Sequence, residues 1–478
     1  MDPSQQLYKR LAKVALAAMG ALFVLGVLFY KERVLFSDAA FYIFHIINSS
    51  RLVIPGPGSN RYGAFIVEML PYLARKMHSS VGTIVFLYGI SFNLFYFIAA
   101  FFVFRYKQYA LCIIMALYYF LFVSESYIWV SETFDGAAWM FLFFAAILRF
   151  GEKRTNVLLF IVPFLVFSFL AVFSHFVVII PMTFLWVYLI IERKHWPFSR
   201  NISVLLSCIF MFVISLKFID THSAYDSDHL RGITHFSLKD ILTTFRTPVV
   251  KIFFRRCVSN YWLGTLAFVI SVVTLVRKKE FVLAAWTFLS VVGYIILMGL
   301  TYADLDQSTL LFHIECEWSY LAIIVATPFV SSFLPGLRLR VAAWSLVGIF
   351  AIRLAYMISF LPLFSARNDF KEQVLGQMRK KGIKKLALIG DPKLLATTVL
   401  DWGLPYETIL VSAGNGDNPQ LTFLFVNPDD KRKIEELTTK SGFYDAWYMA
   451  PCASLNNDYF RIDTTKPYVV MTYAEFLK

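Results

Sequence analysis

Eleven apolar stretches, most of them long enough to cross a bilayer, constrain this chain more than any other feature. They fall at about 12–30, 81–104, 108–130, 136–150, 156–174, 176–191, 201–219, 259–276, 281–300, 318–335 and 341–364. A hydrocarbon core about 30 Å thick takes roughly 20 apolar residues in a helix, and the helix satisfies its own backbone groups there. With 58% hydrophobic residues in 478, a soluble fold would have too little interior to hide them. The pattern predicts a polytopic α-helical membrane protein of about eleven transmembrane helices. The first run exceeds a signal-peptide core and no small-residue cleavage site follows it, so it is expected to stay as a helix. The fourth and sixth runs are short and are expected to begin within the loops before them.

Charge sets the orientation. If Met1 is cytoplasmic and the helices alternate, the cytoplasmic pieces hold 16 of the 45 Lys and Arg but only four acids (Asp2, Glu152, Glu192 and Glu280). Those pieces carry a net +12 of the total +13. The basic excess is therefore a positive-inside signal, and it argues against nucleic acid as a partner. Five cysteines follow no metal or redox spacing. Cys112 and Cys208 read as core, whereas Cys257, Cys316 and Cys452 are expected outside the membrane.

On this topology the outer side holds loops at 31–80, 220–258 and 301–317 and a tail of about 114 residues, 365–478. Two domains are expected: a transmembrane part, 1–364, and a small extracytoplasmic C-terminal α/β domain, 365–478. NRYGAFIVEMLPYLARKM (60–77) reads as an amphipathic helix after the PGPG turn (55–58), with Tyr62, Phe65, Ile66, Met69, Leu70 and Leu73 on its apolar face. SLKDILTTFRTPVVKIFFRRCV (237–258) reads the same way, broken at Pro248. Both are expected to lie in the membrane surface. In the tail, KLALIG, ETILVS and LTFLFV read as β-type runs, between helical DFKEQVLGQMRKKG and DDKRKIEELTTKSG. IGDP (389–392) reads as a strand-to-helix turn.

Carboxylates from separate segments gather at the outer ends of these helices. Asp38 follows the first run in KERVLFSDAAFY, and Glu132 and Asp135 follow the third in SESYIWVSETFDGAAW. Glu68 lies on the first amphipathic helix, Glu315 and Glu317 open the tenth run, and His175 occupies the SHF turn. Burying acids at an interface costs energy unless they are partnered or used. Glu125, Glu317 and Glu68, taken singly, read as boundary markers, and His175 equally as a turn residue. Together with Glu315, Glu68 and Glu317 are candidates for a substrate pocket.

SDAAFY after the first helix, amphipathic helices at 41–48 and 60–77, SETFD after the third helix and a C-terminal domain form a pattern. It resembles the GT-C superfamily of membrane glycosyltransferases, which includes protein O-mannosyltransferases and the aminoarabinose transferase of lipid A. Many members carry paired acids in the first loop where this chain has Ser37–Asp38, and the oligosaccharyltransferase WWD signature has no counterpart. The resemblance implies inverting transfer of a sugar from a polyprenyl-phosphate donor to a lipid, glycan or protein acceptor. Glu132 and Asp135 would form a second acidic site.

The donor chemistry accounts for a lone acid. Phosphate leaves without protonation, so only the acceptor hydroxyl needs a base, and Asp38 is the candidate; a glycoside hydrolase needs a second carboxyl group as acid. The leaving phosphate calls for positive charge. Candidates are Arg61, Arg75 and Lys76, Lys251, Arg255 and Arg256, and Arg353, which alternatively pairs with a carboxylate structurally. A divalent cation held by Glu132, Asp135 or His175 is the other route, and no further cofactor is implied. A bacterial inner membrane, with the C-terminal domain periplasmic, fits best, although the endoplasmic reticulum would show the same topology. Two rivals remain. A transporter or flippase would place ionisable groups near the midplane between repeated halves. A surface-polysaccharide polymerase or ligase would use the second loop, where His222, His229, Arg231 and His235 lie with Asp226 and Asp228.

Overall fold

The structure is a computed structural model that describes residues 3–53, 61–152, 157–192, 198–220, 236–303, 315–390 and 392–478. The PGPG turn, Asp391 and the His-rich part of the second loop lie outside the described residues.

Up to residue 381 the described residues are mostly helical. After α1 (Pro3–Leu28), α2 (Tyr30–Val34) and α3 (Ser37–Ser49) come α4 (Phe65–Lys76), α5 (Val81–Arg105), α6 (Tyr109–Leu121) and α7 (Glu132–Glu152). Then follow α8 (Val157–Val172), α9 (Ile179–Glu192), α10 (Arg200–Asp220), α11 (Leu238–Thr244), α12 (Pro248–Val258), α13 (Trp262–Arg277) and α14 (Phe281–Thr301). α15 (Leu321–Pro328) runs on through a π-turn, and α16 (Leu339–Lys381) enters the C-terminal unit. Among the described residues, seven helices are long and apolar enough to cross a membrane, or eight if the pair 238–258 and 262–277, bent by 84°, is one span. α6, 160–172 and 176–192 are apolar but shorter. Every predicted run falls on a helix, but not every one has spanning length.

The interior is apolar and aromatic, and apolar side chains also cover the outside. Leu205, Met211 and Phe212 of α10 and Val269 and Val273 of α13 are exposed. α4 is turned inside out relative to a water-facing helix. Its Glu68 and Arg75 are buried, while Leu73 and Met77 point outward. Such a face suits a lipid surface. The stretch 237–258 is broken at Pro248, as expected: α11 ends at Thr244 and Pro248 starts α12, where its missing N–H is no loss.

In the C-terminal unit, β1 (Lys385–Ile389) pairs in parallel with β2 (Thr422–Val426) and β5 (Val469–Thr472), in the order β2–β1–β5. KLALI and TFLFV are nearly unbroken apolar runs, as strands buried on both faces require. β3 (Phe443–Asp445) and β4 (Tyr448–Ala450) make a separate hairpin. Around them lie α17 (Pro392–Thr398), α18 (Leu404–Gly414), α19 (Lys431–Thr439) and α20 (Tyr473–Leu477).

Two expectations change here. ETILVS, read as β-type, lies within α18: Pro405 presets the first turn, and residues 404–412 are all buried, so the run shows no helical period. DFKEQVLGQMRKKG is the end of α16, not a separate helix. At about 1.5 Å per residue, its 43 residues reach roughly 65 Å, so the expected boundary at 364/365 falls inside one continuous helix.

Candidate functional site

The segment before Asp38 is held by a buried ionic clamp from the C-terminal unit. Ser37, at φ 46°, has a left-handed backbone that a side-chain-bearing residue adopts at a cost of about 1–3 kcal/mol. Its N–H donates to Glu407 Oε1 at 2.9 Å. Lys371 Nζ donates to the Leu35 carbonyl at 2.6 Å and to Glu407 Oε2 at 2.8 Å. Arg367 uses all five of its N–H groups, on Leu35, Thr398 and Leu400 carbonyls and on both oxygens of Glu407. Burial alone would raise the Glu407 pKa, but Arg367 and then Lys371 hold it below its usual range. Gly403 permits the close approach: a Cβ there would stand 2.8 Å from Ser37 Cα.

Beyond the clamp, carboxylates meet. α3 presents Asp38 and, one turn on, Tyr42, whose hydroxyl donates to Glu132 at the start of α7. Glu68 accepts the Val53 N–H at 2.7 Å. Asp135, fully buried, lies near Glu132, Glu68 and the Tyr96 phenol. Tyr42, Glu68, Glu132 and Asp135 border a cavity of about 10 Å³, room for about one water. Burial pushes the Asp38 carboxyl up to about 8, the like charge of Glu132 adds to the rise, and Arg61 opposes it. Burial likewise pushes Glu68 to about 8, against the Val53 hydrogen bond and with Glu132 adding.

Arg61 is the predicted phosphate ligand that the fold brings to these acids. It is buried beside the Ser174 carbonyl and acts electrostatically on both Asp38 and Glu317. Gly63 sets this approach, because a Cβ there would come 2.4 Å from the Leu170 carbonyl. His175, in its tight turn, stands 3.9 Å from Glu317, which also accepts from Tyr302.

Several other predicted residues are committed to the protein itself. Glu315 accepts from the Ser124 hydroxyl, Tyr261 and Arg256 on Oε1 and from the Ser126 N–H on Oε2, and is buried among them. Arg256 also pairs with Glu125. Arg353 donates to the carbonyls of Phe120, Val123 and Asn260, a structural tie among three segments. Arg75 donates to the Ile47 carbonyl and stacks on Tyr459, so it braces α3 against the C-terminal unit. Lys76, over Tyr72, Lys251 and Arg255 remain at the surface. Glu132, Asp135 and His175 do not form a metal-sized group; among the described residues no three His, Cys, Asp or Glu side chains do. The five cysteines are free.

An apolar groove of about 450 Å³ is lined by Ile66, Met69 and Leu70 of α4, Phe95 and Ile98 of α5, and Trp139 of α7. The same three helices wall the small acidic cavity. Sequence reasoning missed Arg33, buried with its Nε on the Tyr127 carbonyl and electrostatically linked to Asp135. It also missed Tyr42 and the whole clamp. The i, i+4 spacing of Asp38 and Tyr42 was a usable signal; nothing local announced Glu407. Comparison with protein-family models, curated proteins and solved structures finds no match to this chain.

Proposed function

We propose that this chain is an integral membrane glycosyltransferase that moves a sugar from a polyprenyl-phosphate donor to an acceptor hydroxyl. The observation that carries the reading is the pairing of a proton-accepting carboxylate, Asp38, with a lipid-sized apolar groove walled by the helices of its own acid cluster. The groove takes the prenyl chain. A base serves best when its pKa lies near the working pH, and Asp38 meets that condition.

In the reaction, the acceptor oxygen attacks the anomeric carbon from the side opposite the phosphate. Asp38 takes the hydroxyl proton. The carbon–oxygen bond to phosphate breaks with its electron pair, which stays on the phosphate, and the configuration inverts. Arg61 stabilises the departing charge. Glu132, held by the Tyr42 hydroxyl, sustains the raised pKa of Asp38 through its like charge. We assign eleven crossings by counting the shorter apolar helices and the bent pair. The N-terminus is cytoplasmic, and the site and C-terminal unit are on the outer, periplasmic side of a bacterial inner membrane.

The test is donor turnover by the purified protein in lipid bilayers, with a panel of polyprenyl-phosphate sugars and release of polyprenyl phosphate as the readout. Consumption of one donor with inversion at the anomeric carbon is expected. Neither binding nor consumption of any donor would remove the transferase reading.

A further inference from the structure

A second groove, of about 440 Å³, opens between α3 and the β3–β4 hairpin. Phe41, His45 and Arg51 line it from the first loop, and Asp445, Trp447 and Tyr448 from the hairpin. Its size falls in the ordinary range of small-ligand sites, roughly 300–1,000 Å³. None of these residues belongs to the acid cluster or to the prenyl groove.

The hairpin is built in a costly way. Its two-residue turn is Ala446–Trp447, and Ala446 sits at φ 38°, where such turns ordinarily use Gly or Asn. The turn lifts Trp447 to 62% exposure and Tyr448 to 57%. Trp447 is nevertheless fixed from behind: it stacks on Trp402 at 5.6 Å and 25°, and Phe41 meets its edge at 5.9 Å. The result is a rigid aromatic surface facing solvent. Beside it, the Asp445 carboxylate, only 8% exposed, accepts from Tyr406, and Tyr448 also bonds to it. Exposed Arg51 stands at the opposite wall.

We infer that this groove binds a glycan. A pyranose ring has an apolar C–H face that lies flat on an indole, and vicinal hydroxyls that pair with planar carboxylate and guanidinium groups. The groove supplies both kinds of contact at once. A lipid tail needs neither Asp445 nor Arg51, and the apolar groove against α4 shows what this fold builds for such a ligand.

The groove also leads to the acids. Asp38, Tyr42, His45 and Ser49 recur every three or four residues along α3, so one helical stripe runs from the base to the groove wall. Val53 lines the groove and gives its N–H to Glu68. A glycan seated on Trp447 therefore has a path for its terminal hydroxyl toward Asp38. As an acceptor site the groove rests on the transferase reading; as a glycan site it stands on its own residues.

The experiment titrates the full chain in nanodiscs with mannotriose, chitotriose, galactotriose and maltotriose, reading binding by ligand-observed NMR and calorimetry, and follows donor turnover on the same samples. At least one trisaccharide binds the wild type, Trp447→Ala and Asp445→Asn each weaken it about tenfold or more, and Trp447→Phe restores most of the loss. In turnover, Trp447→Ala raises the KM for that glycan and leaves kcat. Binding with this mutant pattern but without any transfer would keep the groove and discard the transferase. Transfer to a glycan whose KM ignores Trp447 would discard the groove and keep the transferase. No binding of any of the four would overturn the inference.

Discussion

Asp38 and Glu407 are two carboxylates set on either side of Ser37, and they are treated in opposite ways. Glu407 receives two cations and a backbone N–H, so its charge is wholly neutralised inside the protein. Asp38 is half-buried beside another acid, with Arg61 as its counterweight, and its pKa is driven to about 8. The first arrangement spends charge on holding a shape, the second keeps a charge under stress. Raised carboxylate pKa values of that kind cluster at functional sites, and Asp38 shares its value with Glu68. The clamp also fixes the strained Ser37 backbone from which Asp38 projects. One carboxylate thereby positions the other.

The largest expected effect tests the stressed side. Asp38→Asn lowers the turnover rate about 10²–10⁴-fold, the usual contribution of a general base. Its melting temperature stays level or rises, since the change removes a charge that burial and Glu132 both disfavour. A joint collapse of stability and activity would make Asp38 a structural residue like Glu407.

Glu407→Gln tests the satisfied side. It leaves Arg367 and Lys371 buried without a countercharge, and denaturation in detergent is expected to show a loss of about 3–5 kcal/mol. Replacing all three charged residues by apolar ones of similar volume (Arg367→Met, Lys371→Met and Glu407→Leu) recovers much of that stability. It does not recover turnover, because the Ser37 N–H still lacks its acceptor. Full activity in the triple variant would show that the clamp does not position Asp38.

The two acids also respond to opposite ends of the pH scale. Asp38 accepts a proton only when ionised, so turnover rises with pH and levels off above about 8. Glu407 has a folded pKa below its unfolded value. Its contribution to stability is therefore complete above the ordinary glutamate range and is lost as pH falls through the depressed value. A pH–rate profile and a pH–stability profile on one preparation separate them. A rate that falls on the alkaline approach to 8 would contradict the base assignment.

The smallest effect is a control for clamps in general. Arg379 and Asp417 form a bidentate pair at 2.8 Å, but at the surface. Solvent screens such pairs, and Arg379→Gln is expected to cost under about 1 kcal/mol in the same denaturation assay. A loss as large as that of Glu407→Gln would mean that burial is not what separates the two.

Much of this was legible beforehand. Residues 65–76 of the expected amphipathic stretch form α4, and Asp38, Glu68, Glu132 and Asp135 come together. The roles of the cations were not legible. Arg256 and Arg353 sat in segments that looked ready for phosphate, yet their partners are Glu125, Glu315 and the carbonyls of Phe120, Val123 and Asn260. A cation's availability depends on whether distant acceptors reach it first. ETILVS misled for a related reason: a helix buried on every side has no polar stripe to betray its period.

The sequence by itself determined the helical, apolar habit of the chain, because hydropathy and helix hydrogen bonding are sums over neighbours along the backbone. It also placed an acid at the head of α3 and a small α/β unit in the tail. Only tertiary structure decided that Ser37 would meet Glu407, 370 residues away, and that Trp447 would face Phe41. Those meetings depend on burial and on competition among remote partners. Both are set when helices pack and the C-terminal unit seats on α3, and no local pattern records them.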